Sequence, residues 1–457
     1  MLKINTLFTA TIIGLFTSSG YAAQDLSDVR IITLSLTSNT DNEPEAALLN
    51  AADSIYAGLS ALPEPDRTEK QKKMLATFDY LTKTATPDDP DAIKTINQIS
   101  PKRNGTNAIV TRKTPTTIPV KGIGKRLSAL RKSSRRFSLL GSLQGSNLLG
   151  STRPGWIKYN TNDPALAAGG LLDQRLSGFV TTSAIFSSQS DTSSEAGFDG
   201  NTKQFTFGAD YRINNNTFAG AAVSTVSGNI DINLGGNLNN TANTLLIYGT
   251  RSINQNWFAD ATASIGKRNF EMERSINFNL NNVPTNDIAT SNPEGSYYGF
   301  SLGTGYDKTW NNGHSISFLA SFNYSNSDIN AFQEQGNSAF NLAVGKQNIV
   351  SKMLDAGVEW RQAVSTSFGV LVPQVSLKWT QEFEDKSDPI NAYFIADPNN
   401  TSLNFETGNK DLGYMSILLG VTAVLPRGLA AFVQYETQQF IDDYQQSMVS
   451  LGGRKEF

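Results

Sequence analysis

From about Arg175 to Phe457 the side chains alternate with a period of two, and this pattern restricts the fold more than any other feature of the chain. Phe205, Phe207, Ala209 and Tyr211 fall on one side, with Thr206, Gly208, Asp210 and Arg212 on the other. Tyr298, Phe300, Leu302, Thr304 and Tyr306 alternate in the same way with small residues and Asp307, and Leu354–Trp360 with Asp355, Glu359 and Arg361. Successive side chains of a strand point to opposite faces, so each segment carries one greasy face and one small or charged face. A soluble sandwich hides the first and rarely crowds acids and arginines onto the second. A closed barrel with lipid outside and a polar lumen inside accounts for both faces. The expected fold class is therefore all-β, a transmembrane β-barrel of twelve antiparallel strands preceded by a short α-helical linker region.

The connections support this reading. Strands are expected at 175–188, 202–213, 216–230, 241–253, 256–275, 295–309, 313–327, 348–364, 367–385, 409–425, 428–440 and 445–457. Short turns such as Asn214-Asn215, Asn254-Gln255 and Pro426-Arg427 alternate with long Asn-, Ser-, Asp- and Gly-rich stretches at 188–201, 276–294, 328–347 and 386–408. Short turns at one end and long loops at the other are the rule for outer-membrane barrels. Trp257, Trp310, Trp360 and Phe368 lie beside the short turns, where an aromatic girdle belongs.

The N-terminal part has three sections. Residues 1–22 read as a signal peptide: Lys3, an apolar run from Leu7 to Phe16, then Gly20-Tyr21-Ala22 as a small-residue exit, with cleavage before Ala23. Residues 23–100 are acidic and mostly helical in pattern. A short strand is expected at Val29–Leu36, and a first helix carries Leu48, Leu49, Ala52, Ile55, Tyr56 and Leu59 at helical spacing. A second is expected to open at Asp66, with Glu69 as its capping partner, and to carry Met74, Leu75, Phe78 and Leu81; a short Ile93/Ile96 helix follows. These stripes read as packing faces. Residues 101–174 form a basic linker. Between Lys102 and Asn162 it holds thirteen Lys or Arg and no Asp or Glu, with Lys125, Arg126, Arg131, Lys132 and Arg135 at its centre. Such a run either meets an anionic surface or threads a lumen lined with acids. The balanced net charge of −3 and the lack of interleaved aromatics argue against nucleic acid.

The last strand puts Val449, Leu451 and Phe457 on one face and Ser450, Gly452, Arg454 and Glu456 on the other. An in-phase terminal Phe457 is typical of the segment by which such barrels are recognised for insertion. The whole of 42–457 resembles the autotransporter (type V secretion) β-domain family. Gly208 and Asp210-Tyr211-Arg212 look like the family's Gly-x-Asp-Tyr-Arg strand end, and Gly299–Gly303 and Gly452–Phe457 are similar to its later strands. Ile96–Pro101 looks like its element before the barrel, and Arg126-Leu127 with Leu130-Arg131 like the basic segment after it. The resemblance implies a twelve-stranded translocator in a Gram-negative outer membrane with an α-helical linker in the pore. It also implies as partners the general secretory translocon, periplasmic chaperones, the β-barrel assembly machinery, and outer-membrane lipid with lipopolysaccharide. A monomeric barrel without cofactor or nucleic acid is expected. The chain departs from the family pattern in that only about twenty residues, 23–41, precede the helices, so the passenger is expected to be very short or absent. The Asn-Asn cleavage signature of some members is not visible between 115 and 160.

Enzyme readings find little support. There is no cysteine, and the one histidine, His314, sits at an expected periplasmic turn, away from any position where a Ser-His-Asp relay would be useful. Asp210, Asp307, Asp355 and Glu359, together with Asp260, are expected to pair with Arg212, Arg268 and Arg361 in the lumen or with the basic linker. No metal-ligand spacing or phosphate loop occurs. Beside the translocator reading stand a general channel or porin, and a surface adhesin acting through the loops 276–294, 328–347 and 386–408.

Overall fold

The computed structural model describes residues 44–86, 89–101, 175–191, 196–310, 312–384, 389–405 and 412–457. The expected signal peptide, the Val29–Leu36 strand and the basic linker with Lys125, Arg126, Arg131, Lys132 and Arg135 lie outside the described residues.

Twelve long strands form the wall: β1 (Leu176–Gln189), β2 (Phe198–Asn214), β3 (Thr217–Ile232), β4 (Gly236–Ser252), β5 (Trp257–Leu280) and β6 (Glu294–Thr309), then β7 (His314–Ile329), β8 (Gln347–Gln362), β9 (Gly369–Glu382), β10 (Gly413–Leu425), β11 (Leu429–Gln439) and β12 (Tyr444–Glu456). Each pairs antiparallel with the next, and β1 pairs with β12 from Ser177↔Glu456 to Gln189↔Tyr444, so the sheet closes. Closure removes every edge, which hydrocarbon cannot satisfy.

Local chemistry sets the short turns. The Asn214 side chain accepts from the backbone of Asn216, and the Asn254 side chain from the backbones of Asn256 and Trp257, which are Asx turns. Arg427 and Gly428 take left-handed φ of 62° and 72°, the geometry of a tight hairpin whose twist matches its strands. Trp257 (46% exposed), Trp310 (42%) and Phe368 (52%) face outward at this end. Trp360 lies partly buried beside the His314 ring.

On β2 the exposed face is Phe205, Phe207, Ala209, Tyr211 and Ile213, while Thr202, Gln204, Thr206 and Asp210 point into the lumen and are buried. The same inversion of a soluble protein's order runs around the wall. Inside, large rings lie across glycines of the adjacent strand: Tyr248 over Gly220, Tyr297 over Gly266, Phe258 over Gly305, Phe179 over Gly208 and Phe432 over Gly452. A methyl group at any of these glycines would fall within 2.7 Å of the ring.

The strands do not stop where the lipid-facing band stops. On β5 the outward residues run Trp257, Ala261, Ala263, Ile265 and then Lys267, Asn269, Glu271; the inward ones run Asp260, Thr262, Ser264 and then Phe270, Met272, Ile276, Phe278, Leu280. The apolar face thus changes from outside to inside near Lys267, as expected if water replaces lipid around the wall. Only about ten residues of a tilted strand are needed to cross the hydrocarbon, so β5 projects well beyond it. The stretch 276–294, expected as a polar loop, is instead the end of β5, a turn at Asn281 and Asn282, and a returning strand Val283–Ser291. The connections 328–347 and 386–408, also expected as polar loops, build a small four-stranded sheet from Phe332–Gln333, Leu342–Val344, Ile390–Phe394 and Leu403–Phe405.

Three helices, α1 (Pro44–Ala61), α2 (Glu69–Lys83) and α3 (Pro90–Ile99), pack at this far end. The second opens two residues later than the sequence suggests. Thr68 caps it through a reciprocal box with Gln71, whereas Asp66 ends a short 3-10 turn, Glu64–Asp66. Asp89 caps α3, its carboxylate accepting from the backbones of Asp91 and Ala92, with Pro90 in the first turn. The apolar stripes are packing faces as expected. Leu48, Ile55, Leu59, Met74, Phe78, Ile96 and Ile99 share one core with Phe270, Met272, Ile276 and Phe278 of β5, and with Phe340, Phe394 and Phe405 of the long connections.

Candidate functional site: the lumen and the helical head above it

The lumen wall at the level of the lipid-facing band is polar, and carboxylates predominate. Asp210, Asp260, Asp307, Asp355, Glu359, Glu382 and Glu436 point inward, as do Arg212, Arg268, Arg361 and Lys378. Their partners differ in part from the sequence expectation. Glu359 and Arg361 do form an ion pair, and Arg361 also donates to Ser317 at 3.1 Å. Asp355 gathers Thr380 (2.6 Å), Asn323 (3.1 Å), Ser321 (3.2 Å) and Lys378 (3.3 Å), a set assembled across β7, β8 and β9. Asp210 accepts from Ser177 at 2.9 Å and from the Tyr248 hydroxyl. Arg268 is flanked by the rings of Phe270 and Tyr297, with centroids 5.6 and 5.1 Å away, an arrangement that the expected carboxylate pairing did not anticipate. Phe457 is exposed on the outer wall, and its backbone NH closes the last hydrogen bond to Leu176.

The head is fixed to the wall by polar contacts that local sequence does not signal. The guanidinium of Arg274 on β5 donates to both carboxylate oxygens of Glu334, at 2.9 and 2.6 Å, and both side chains are about 1% exposed. Arg274 also donates to the backbone oxygens of Phe340 (2.7 Å) and Gln98 (3.3 Å). Gln98, at the end of α3, donates to the Leu234 carbonyl at 3.1 Å and accepts from the Asn277 NH at 3.0 Å. Lys73 of α2 pairs with Asp287 at 2.8 Å. The helices therefore bridge the extended β5 hairpin and the small sheet.

His314 starts β7 at the short-turn end. Among the described residues no group of three or more His, Asp or Glu could hold a metal ion.

The family model of the autotransporter β-domain matches residues 178–436. The chain belongs to this family. Its structure is similar to the translocator domain of autotransporter NalP from Neisseria meningitidis, at 12% identity, over 72% of this chain and 97% of that one, with a TM-score of 0.50. The β domain of the Bordetella autotransporter BrkA follows at 14% identity, 62% and 100% coverage and a TM-score of 0.44. The transport unit of AIDA-I from Escherichia coli gives 11% identity, 71% and 99% coverage and a TM-score of 0.37. No curated protein matches the chain. The closed barrel and the family match make this an outer-membrane translocator domain, of a barrel family that is not enzymatic and that is inserted by outer-membrane assembly machinery. Its short turns then face the periplasm and the helical head faces outward.

Proposed function

We propose that this autotransporter barrel carries its own N-terminal segment to the cell surface and retains it there as a docked head, with the basic linker 101–174 passing through the lumen. The observation that carries the reading is the position of the two described ends of that linker. Gln98 is bonded to Leu234 and Asn277 at the outer end, while Leu176 is bonded to Phe457 at the periplasmic end. A route outside the wall would draw Lys125, Arg126, Arg131, Lys132 and Arg135 through hydrocarbon, at roughly 2.5–3.5 kcal/mol for each central charge. The lumen instead offers an excess of carboxylates.

Residues 1–22 act as the export signal for the general secretory translocon. Periplasmic chaperones and the β-barrel assembly machinery then insert a monomeric barrel, with Phe457 in the recognised strand. The buried core between helices and wall favours retention over release. It also occupies much of the long connections that an adhesive surface would need free.

Single-channel conductance tests the reading. The mature chain should be nearly closed, and a version starting at Arg175 should open; reversing charge at Arg126, Arg131 and Arg135 should raise conductance partway. Equal, large conductance in all three would remove the linker from the pore and put the channel reading ahead.

A further inference from the structure

We propose that a groove on the outer wall, just above the lipid-facing band, binds the neutral saccharide portion of an outer-leaflet glycolipid. The groove has a volume of about 710 Å³ and lies between β1–β3 and the β11–β12 hairpin. Its height follows from strand register. Val449 and Tyr435 are opposite one another at the top of the outward apolar band, and Phe186 stands in register with Ser447 and Asn201 one step higher. From there the groove rises to Phe440 and Ile441 at the tip of the β11–β12 hairpin, above the acylated sugars and into the level of the core sugars.

The lining has the chemistry of sugar recognition. Asn201 lies directly opposite Asn229, and Asp199 directly opposite Asp231, all facing outward. Gln439 and Gln445 line the other side, and no Lys or Arg is among the lining residues. Opposed carboxylates repel on a bare strand pair. They accept hydroxyl hydrogens readily, and the lining itself offers a phosphate no cation; Lys203, on the same outward face, stands one step lower, level with Val449. Hydroxyl-rich neutral rings satisfy the amides and carboxylates together.

Three aromatic side chains complete the site. Phe186 is 48% exposed, Tyr435 44% and Phe440 71%, offering flat faces to the C–H faces of sugar rings. Phe440 also holds a left-handed φ of 64°, which is costly for a bulky residue and is retained only where something offsets it. Leu234, at φ 67°, packs against the core beneath the helices. Phe440 has no such burial; it lines the groove, and a bound ring would cover it.

The full chain, refolded into nanodiscs, provides the test. One set of discs contains lipopolysaccharide bearing its core sugars, the other deep-rough lipopolysaccharide lacking them, and released dephosphorylated core oligosaccharide is titrated separately. The core-bearing discs should raise the unfolding temperature above the deep-rough ones. The free oligosaccharide should bind about tenfold more weakly to N201A/N229A, as expected for lost polar contacts. F440G should weaken binding while leaving the sugar-free barrel at least as stable, because glycine relaxes the φ; this separates a binding role from a structural one. Heat-modifiable migration confirms that each variant has folded. Equal unfolding temperatures in both discs with no binding of the free oligosaccharide, or unchanged affinity in both variants, would overturn the proposal. Binding of free sugar without any difference between discs would overturn the glycolipid as its source.

Discussion

Tyr248 on β4 reaches across Gly220 of β3 to donate its hydroxyl to Asp210 on β2. Ser177 on β1 donates to the other carboxylate oxygen, so one buried acid ties β1, β2 and β4 together across β3. The ring can lie flat only because Gly220 has no Cβ, which would come within 2.5 Å of it. Tyr248→Phe removes a donor from a buried carboxylate and should cost about 1–3 kcal/mol. Gly220→Val should cost more, since it expels the ring as well as the bond. Urea unfolding followed by tryptophan fluorescence checks both, and equal midpoints for wild type and Tyr248→Phe would show that the contact contributes nothing.

The Arg274–Glu334 pair should govern the head without governing the barrel. Removing one member of a buried pair leaves an uncompensated charge, at about 3–5 kcal/mol. Arg274→Met is expected to expose residues 44–101 to added protease while the wall keeps its heat-modifiable migration. Arg274→Met with Glu334→Leu should recover much of the protection, because apolar groups then face each other. A wall that unfolds together with the head would refute this division.

The twelve strands were readable from sequence because alternation is local and the boundary residues are turn formers. The outer half of β5 was not. Asn277, Asn279, Asn281 and Asn282 give it the composition of a loop, and its apolar residues lie on the face that lipid contact would leave polar. The sequence leaves the opening of α2 ambiguous, because Asp66 with Glu69 and Thr68 with Gln71 satisfy the same spacing rule and only backbone geometry separates them. In the lumen, Glu359 and Arg361 lie two apart on one strand, so their pairing could be anticipated. Lys378 meets Asp355 through the register of β8 with β9, and Glu334 meets Arg274 from sixty residues away. Contacts of that kind leave no local trace.

Thr68→Ala should loosen the start of α2 alone. The box with Gln71 satisfies two backbone NH groups that the first turn cannot, and its loss typically costs about 1 kcal/mol. Hydrogen exchange should quicken at Gln71 and its neighbours and stay unchanged on β3–β5. Unchanged exchange at Gln71 would mean that packing of Met74 and Phe78 alone holds the turn.

Leu302 and Met272 distinguish the two solvents that the wall faces. Leu302 is 55% exposed, opposite Ala261 in the outward band, whereas Met272 is 3% exposed and points inward beneath the head. Leu302→Arg places a cation in hydrocarbon and should cost about 2–4 kcal/mol, slowing insertion into vesicles. Met272→Asp should leave insertion intact, because the membrane-level wall does not include it. It buries an unpaired carboxylate among Phe270, Ile276 and the helices, so the head should become protease-sensitive. The same two substitutions would reverse their effects in a soluble β-protein, where the outward position tolerates arginine and the inward one decides folding. Insertion kinetics and protease protection, measured on both variants, therefore test directly whether hydrophobicity changes sides along the wall, between the lipid-level part of β5–β6 and the outer half of β5.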